Sequence, residues 1–393
     1  MNGELAFVIQ RYGAEVTGGS ETLARALGDR LGAERPITVF TTCARDYVTW
    51  RNELPAGTET DGPVTVRRFA VEEERDLDAF NRFSETLYGR AHTDEDERAW
   101  LRRQGPYVPE LVRALGAERG RFDAVVFFTY LYYPTCEGLR AAPERSLLVP
   151  TCHDEPPLRF HLYDEVFARP RGFAFLTAPE EALVRGRFAV GARPARVAGM
   201  GVEEGPAPDV DAFRARHRVD GRYVAYAGRI DAGKGCQDMV AWFQDYRRQR
   251  HRAVELLLMG RLALPEPLGE GVRYLGYLPD EEKRAALAGA DVVLCPSPYE
   301  SLSIVLLEGF ALGRPALVNA RSPVLLDHCR RANAGLFYED ADEFGEALDV
   351  LLRDAPLRRA LGENGRAYVK AEYAWDAVLA RYRALLEAVA RAG

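Results

Sequence analysis

A chain of 393 residues is longer than one hydrophobic core commonly serves, so two domains of ordinary size are expected. Apolar residues make up 47% and charged ones 28%, a globular composition that leaves no room for a long disordered tail. The formal charge of -7, from 52 basic and 59 acidic residues, excludes a global positive field that would hold nucleic acid by its phosphates.

From the N-terminus, short runs rich in Val, Ile, Leu and Phe alternate with amphipathic segments, the pattern of a parallel sheet covered by helices on both faces. The strand candidates of the first half are Leu5–Gln10, Ile37–Thr42, Val64–Val71, Ala124–Tyr130, Ser146–Cys152, Phe173–Thr177 and Arg196–Met200. After Gly18-Gly19-Ser20, Leu23, Leu27 and Leu31 mark one face of a helix, with Ser20 as the expected cap. The segment from Gly201 to Pro208 is dense in Gly and Pro and lacks apolar periodicity, so it reads as a linker. A second set of strands follows at Tyr223–Ala227, Val254–Met259, Val272–Tyr277, Val292–Pro296, Ala316–Asn319 and Gly335–Tyr338. Helical runs separate them at Met239–Arg248, Glu281–Ala288, Ile304–Leu312 and Phe344–Leu352. The closing segment Trp375–Ala390 carries Trp375, Val378, Tyr382, Leu385, Leu386 and Val389 on one stripe that needs burial.

Six cysteines, Cys43, Cys136, Cys152, Cys236, Cys295 and Cys329, lie scattered without paired spacing, which suits buried thiols in a reducing compartment. No apolar run reaches the roughly 18 residues of a membrane span, and no basic, apolar leader precedes Leu5, so a cytoplasmic address is expected.

Two motifs carry the chemistry. Gly228-Arg229-Ile230-Asp231-Ala232-Gly233-Lys234-Gly235 leaves one strand and enters a helix; its glycines permit close backbone approach, and Arg229 and Lys234 add cations where a diphosphate could sit. Its spacing matches a triphosphatase loop, but Gly235 stands where that loop needs a Ser or Thr for magnesium. The bland alternative is a strand-to-helix turn with surface cations. The second motif runs from Pro296 to Gly309 and holds Glu300 and Glu308. On one continuous helix these acids would be about 80° apart in rotation and about 12 Å apart in rise, so Glu300 is placed in the loop and Glu308 in the helix, with Ser301 or Ser303 as cap. The N–H groups of Ser303, Ile304 and Val305 would then meet phosphate oxygens.

Gly-Arg-(x)4-Lys-Gly followed by Glu-(x)7-Glu resembles the retaining glycosyltransferases of family 4, which have the GT-B fold. Gly18-Gly19-Ser20-Glu21 and Gly199-Met200-Gly201-Val202 are similar to further family segments, so the likeness extends over nearly the whole chain. The resemblance implies two Rossmann-like doubly wound α/β domains facing across a cleft: residues 1–203 for the acceptor, 204–374 for the nucleotide-sugar donor, and 375–393 as a helix returning to the first domain. It implies that Arg229 and Lys234 neutralise the diphosphate, Glu308 holds the ribose and Glu300 contacts the transferred sugar. Gly18, Gly19, Gly228, Gly260, Tyr277, Leu278, Ser303, Ile304 and Val305 would complete the donor site. The family often has Gly where Ser303 stands, which leaves the donor open. It also implies transfer with retention, no metal on the diphosphate and no further cofactor. Acceptors in the family are often lipid-linked or polysaccharide intermediates, which allows peripheral contact at the inner membrane face.

In the first domain His153, within Thr151-Cys152-His153-Asp154, resembles the family histidine beside the transferred sugar; its alternative is a packing or capping role, and Asp154 is expected to cap the next helix. Tyr107, Tyr130 and Tyr132 offer aromatic faces to an acceptor sugar, or else pack in the core or its rim. Rival readings are a sugar-nucleotide epimerase of the same fold and a silent sugar-nucleotide binding protein. A redox Rossmann enzyme is disfavoured by Glu204, which stands where a third glycine would be required.

Overall fold

The computed structural model describes residues 3–203, 205–250, 253–265 and 268–392; Glu204 lies outside them. The chain forms two compact units, Met1–Gly199 with Leu379–Gly393, and Met200–Val378. No helix among the described residues is long and apolar enough to cross a membrane.

The first unit is built on eight strands: β1 Glu4–Val8, β2 Ile37–Thr42, β3 Gly57–Asp61, β4 Val64–Phe69, β5 Phe122–Phe128, β6 Ser146–Val149, β7 Gly172–Phe175 and β8 Ala195–Val197. Their order is β3-β4-β2-β1-β5-β6-β7-β8, parallel throughout except for the antiparallel β3/β4 pair. Leu5 to Val8 and Ala124 to Phe128 are buried, which is why these strands read as continuous apolar runs rather than as alternation. Strand β3, Gly-Thr-Glu-Thr-Asp, has no apolar signal and escaped the sequence reading. It exists as an exposed edge strand, held to β4 by a turn at Gly62 (φ 57°) and by Glu59, which takes two hydrogen bonds from Arg68.

The helix Gly19–Gly32 follows β1 and buries Leu23, Leu27 and Leu31 as expected. Ser20 does not cap it. Gly18 holds the cap position without a side-chain bond, and the Ser20 hydroxyl donates to Glu21 Oε2 at 2.9 Å instead. Glu21 is turned inward to Arg11, whose Nη2 lies 2.5 Å from Oε1. The final helix Trp375–Ala392 supplies the last part of this unit: the Tyr382 hydroxyl donates to the Gly199 carbonyl at 3.2 Å, Arg383 pairs with Glu34, and Tyr382, Leu385, Leu386 and Val389 are buried.

The second unit has six parallel strands: β9 Arg222–Ala227, β10 Val254–Met259, β11 Val272–Tyr274, β12 Val293–Cys295, β13 Ala316–Asn319 and β14 Gly335–Tyr338, in the order β11-β10-β9-β12-β13-β14. Strand order reverses between β9 and β12, so the loops leaving those two strands diverge to opposite faces and open a crevice at their carboxyl ends. Residues expected as linker lead into a helix, Val210–His217, where Asp209 accepts the Ala212 N–H at 2.9 Å. Gly201 lies against the Trp375 indole so closely that any side chain there would overlap the ring.

Candidate functional site

The crevice of the second unit is assembled from glycine backbone. Beyond β9, Gly228 (φ 146°) donates its N–H to Met259 at 2.9 Å, and Gly260 (φ 135°) donates to Gly276 at 2.8 Å. A Cβ on Gly260 would overlap the Gly228 carbonyl, so these two strand ends touch only because Gly260 carries no side chain. Asp231 then folds the loop over: Oδ1 accepts the Lys234 N–H at 2.8 Å, and Oδ2 lies 3.5 Å from the half-exposed Arg229 guanidinium. Gly235 (φ 70°) opens the path to the helix Cys236–Arg250, and a Cβ there would overlap the Pro296 carbonyl.

That approach brings the two sequence motifs together. Lys234 Nζ lies 2.8 Å from Glu300 Oε1, with both side chains largely buried. Glu300 lies in the loop after β12, as expected, and Glu308 in the helix Ile304–Ala311. The expected serine cap is not made: Ser303 occupies the cap position, but its hydroxyl makes no capping bond. Its backbone is left-handed (φ 66°, ψ 75°), a conformation that suits glycine and that a serine adopts at a cost of about 1–2 kcal/mol. Ile304 and Val305 open the helix, so their N–H groups have no carbonyl one turn back within it.

Glu308 pairs with a residue that sequence reasoning missed. Its Oε1 lies 2.9 Å from Lys283 Nζ, on the helix Asp280–Gly289, while Oε2 is buried with no hydrogen-bond partner. Burial works against the Lys283 charge, but the Glu308 and Asp280 carboxylates outweigh it and raise its pKa. Within Asp280-Glu281-Glu282-Lys283-Arg284 nothing distinguishes Lys283 as a site residue, because its partner lies 25 positions away. Tyr277 is 73% exposed beyond β11, whereas Leu278 is buried. The Tyr274 hydroxyl donates to the Gly260 carbonyl at 2.9 Å.

In the first unit Gly18 (φ 156°) and Gly19 lie between β1 and its helix, and a Cβ on Gly18 would overlap the Glu21 carboxylate. His153 follows β6; its Nε2 is 3.7 Å from Glu155 Oε2, and Glu155 Oε1 accepts the Tyr130 hydroxyl at 2.8 Å. Burial raises the Glu155 pKa. The loop carrying His153 is pinned by the buried Glu180, which accepts the Cys152 N–H at 2.7 Å and the Leu176 N–H at 2.6 Å. Burial pushes the Glu180 pKa up to about 8. Asp154 does not cap the next helix, because it pairs with Arg159 at 2.8 Å. The first N–H groups of the helix His161–Ala168, those of His161 and Leu162, go instead to Glu97 at 3.0 and 2.7 Å.

Of the three tyrosines, Tyr130 offers no face to a ligand. It is 0% exposed and edge-on to Tyr163 at 4.8 Å, because the turn after β5 folds it into the core. Tyr132 is half-buried against Trp50, and Tyr107 is half-buried between Tyr133 and the Arg102 guanidinium. The loops carrying these two meet where Tyr133 donates its N–H to Gly105 at 3.1 Å.

Residues 209–368 match the family model for glycosyl transferases group 1. Over 316 residues, 74% of this chain and 77% of the relative, the sequence is 28% identical to the phosphatidyl-myo-inositol mannosyltransferase of Mycolicibacterium smegmatis. Over 221 residues it is 31% identical to the MMP alpha-(1->4)-mannosyltransferase of Mycolicibacterium hassiacum, a match that spans about half of each protein, 52% of this chain and 51% of the relative. The chain is therefore similar to group 1 glycosyltransferases, with the family segment at residues 209–368. Its fold is GT-B: the structure superposes on sucrose-phosphate synthase from Thermosynechococcus elongatus with a TM-score of 0.75 over 100% of both chains, at 20% identity. The segment that matches the group 1 family contains Arg229, Lys234, Lys283, Glu300 and Glu308, whereas Gly18, Gly19, His153 and the tyrosines lie outside it.

Proposed function

We propose that this chain is a group 1 glycosyltransferase that transfers a glycosyl group from a nucleoside diphosphate sugar to a saccharide or lipid-linked acceptor, with retention at the anomeric carbon. The observation that carries the reading is the meeting of the two corners at the β9/β12 reversal, where Lys234 and Glu300 lie 2.8 Å apart beside a helix N-terminus. An ammonium beside a helix N-terminus, with the Arg229 guanidinium on the same loop, suits a pyrophosphate, and the unpartnered Glu308 Oε2 suits a ribose hydroxyl.

In this reading the bond from the anomeric carbon to the diphosphate oxygen breaks, and negative charge grows on the departing phosphate. Lys234, Arg229 and the N–H groups of Ile304 and Val305 stabilise that charge, which is the main contribution to rate. The acceptor oxygen forms the new bond on the same face, and its proton passes to a departing phosphate oxygen, so neither a protein nucleophile nor a divalent ion on the diphosphate is needed. Glu300 orients the transferred sugar through its hydroxyls and keeps Lys234 in place. The mannosyltransferase names of two relatives support a hexose donor, and the phosphatidyl-myo-inositol in one of them supports a lipid-linked acceptor.

The test is Lys234→Ala. Donor turnover, including slow donor hydrolysis without acceptor, is expected to fall by roughly 10²–10³ with an unchanged circular dichroism spectrum. Turnover within a few-fold of the parent would remove Lys234, and with it the proposed charge stabilisation.

A further inference from the structure

The loop that carries Glu300 and the left-handed Ser303 is gripped from behind by a side chain outside the motif. His328, on the helix Pro323–Ala332, is 0% exposed. Its Nε2 lies 3.0 Å from the Leu302 carbonyl oxygen and its Nδ1 lies 3.1 Å from the Tyr368 hydroxyl. A carbonyl only accepts, so the ring proton must sit on Nε2; Nδ1 is then the acceptor, and Tyr368 donates to it. One neutral tautomer thus satisfies all three groups. Burial pushes the His328 pKa down to about 4, which keeps the ring in that neutral state near pH 7.

Leu302 is the residue between Ser301 and Ser303, so a bond to its carbonyl fixes the peptide that sets φ of Ser303. Ser303 makes no capping bond of its own to hold the start of the short helix after it. The anchoring side is packed: the Tyr368 and Tyr373 rings lie 5.5 Å apart, the His328 ring is 5.6 Å from Tyr373, and the Tyr373 carbonyl accepts the Val202 N–H at 2.8 Å.

We propose that His328 is a positioning residue for the donor site, holding the loop 300–303 through the Leu302 carbonyl so that the helix N–H groups stay aimed at the bound diphosphate and Glu300 at Lys234 and the sugar. The inference rests on the proposed donor reading of that corner. His328 itself touches no substrate. Its effect therefore falls on donor affinity and orientation, and a side chain that restores only the Nε2 donor should restore most of it.

The experiment measures UDP and GDP binding by calorimetry well below the melting temperature, for the parent, His328→Phe and His328→Gln. The parent is expected to bind at least one of the two nucleotides. Phe keeps the ring volume but loses both bonds, and binding of that nucleotide should weaken roughly ten-fold. Gln can still donate to Leu302, and binding should return to within about three-fold of the parent even though the partner of Tyr368 is altered. Tyr368→Phe, which leaves the Leu302 bond intact, should likewise bind within about three-fold. If both His328 variants melt at lower temperature yet bind as the parent does, His328 only stabilises the fold and the inference fails while the donor reading stands. Equal weakening in Phe and Gln overturns it as well. A parent that binds neither nucleotide overturns the donor reading and this inference together.

Discussion

At the scale of single residues, His328 links stability to pH as well as holding the loop. Its folded-state pKa is depressed to about 4 from an ordinary value of 6.5, chiefly by burial and secondarily by the Arg331 charge, against a raising contribution from the Leu302 carbonyl. The other groups facing it, Tyr368 and Tyr373, have hydroxyls whose pKa values are raised by burial and which stay neutral in acid. Between those two pKa values the unfolded chain binds a proton that the folded chain refuses. Stability contributed by the neutral ring is therefore complete above about pH 6.5 and is lost as pH falls toward 4, by about 3 kcal/mol at most. The measurable quantity is the difference in unfolding free energy between the parent and His328→Phe from pH 7 to pH 4. It should shrink across that window, and a constant difference would mean that the ring does not titrate there.

At the scale of elements, the site depends on two corners that approach through glycine. Gly235 meets two demands at once, a left-handed φ of 70° and a path beside the Pro296 carbonyl that leaves no space for a methyl group. Gly235→Ala should cost about 2 kcal/mol or more of stability, from the backbone conformation and the overlap combined, and should separate Lys234 from Glu300. Urea unfolding and nucleotide binding on the same variant check both consequences, and a variant that binds and unfolds like the parent would refute the close approach.

Much at this scale was legible in the sequence, because parallel strands buried on both faces declare themselves as apolar runs. Ile37–Thr42, Val254–Met259, Ala316–Asn319 and Gly335–Tyr338 end where the pattern ends. The placing of Glu300 in a loop and Glu308 in a helix followed from the geometry of eight residues. What failed depended on partners remote in sequence. Strand β3 is defined by its neighbour rather than by its own composition, and Tyr130 is buried against Tyr163, 33 positions away. Helix capping at His161 came from Glu97, 64 positions earlier. The Lys283–Glu308 pair and the His328 grip on Leu302 are of the same kind: each half is an ordinary residue until the sheet order brings the other beside it.

At the scale of the whole molecule, the first unit is discontinuous in sequence, since residues 379–392 complete a core begun by residues 3–199. Tyr382, Leu385, Leu386 and Val389 are all buried within it, and Gly172 leaves no room for a side chain beside Val389. Deleting 379–393 should expose that apolar seat and cost several kcal/mol, at about 1.5–3 kcal/mol for each large side chain removed from its contacts. The expected outcome is loss of soluble protein, or a melting temperature lowered by ten degrees or more; a soluble truncation that melts like the parent would contradict it. Leu386→Asp should reproduce the defect in the full chain.

This discontinuity also imposes an order on biosynthesis. The ribosome delivers the whole second unit before it delivers the helix that the first one lacks, so a nascent N-terminal half must wait with an open groove while its neighbour is being made. Protein engineers meet the same asymmetry: residues 200–378 form one uninterrupted fragment, whereas isolating the other half requires a graft that splices 379 onto 199.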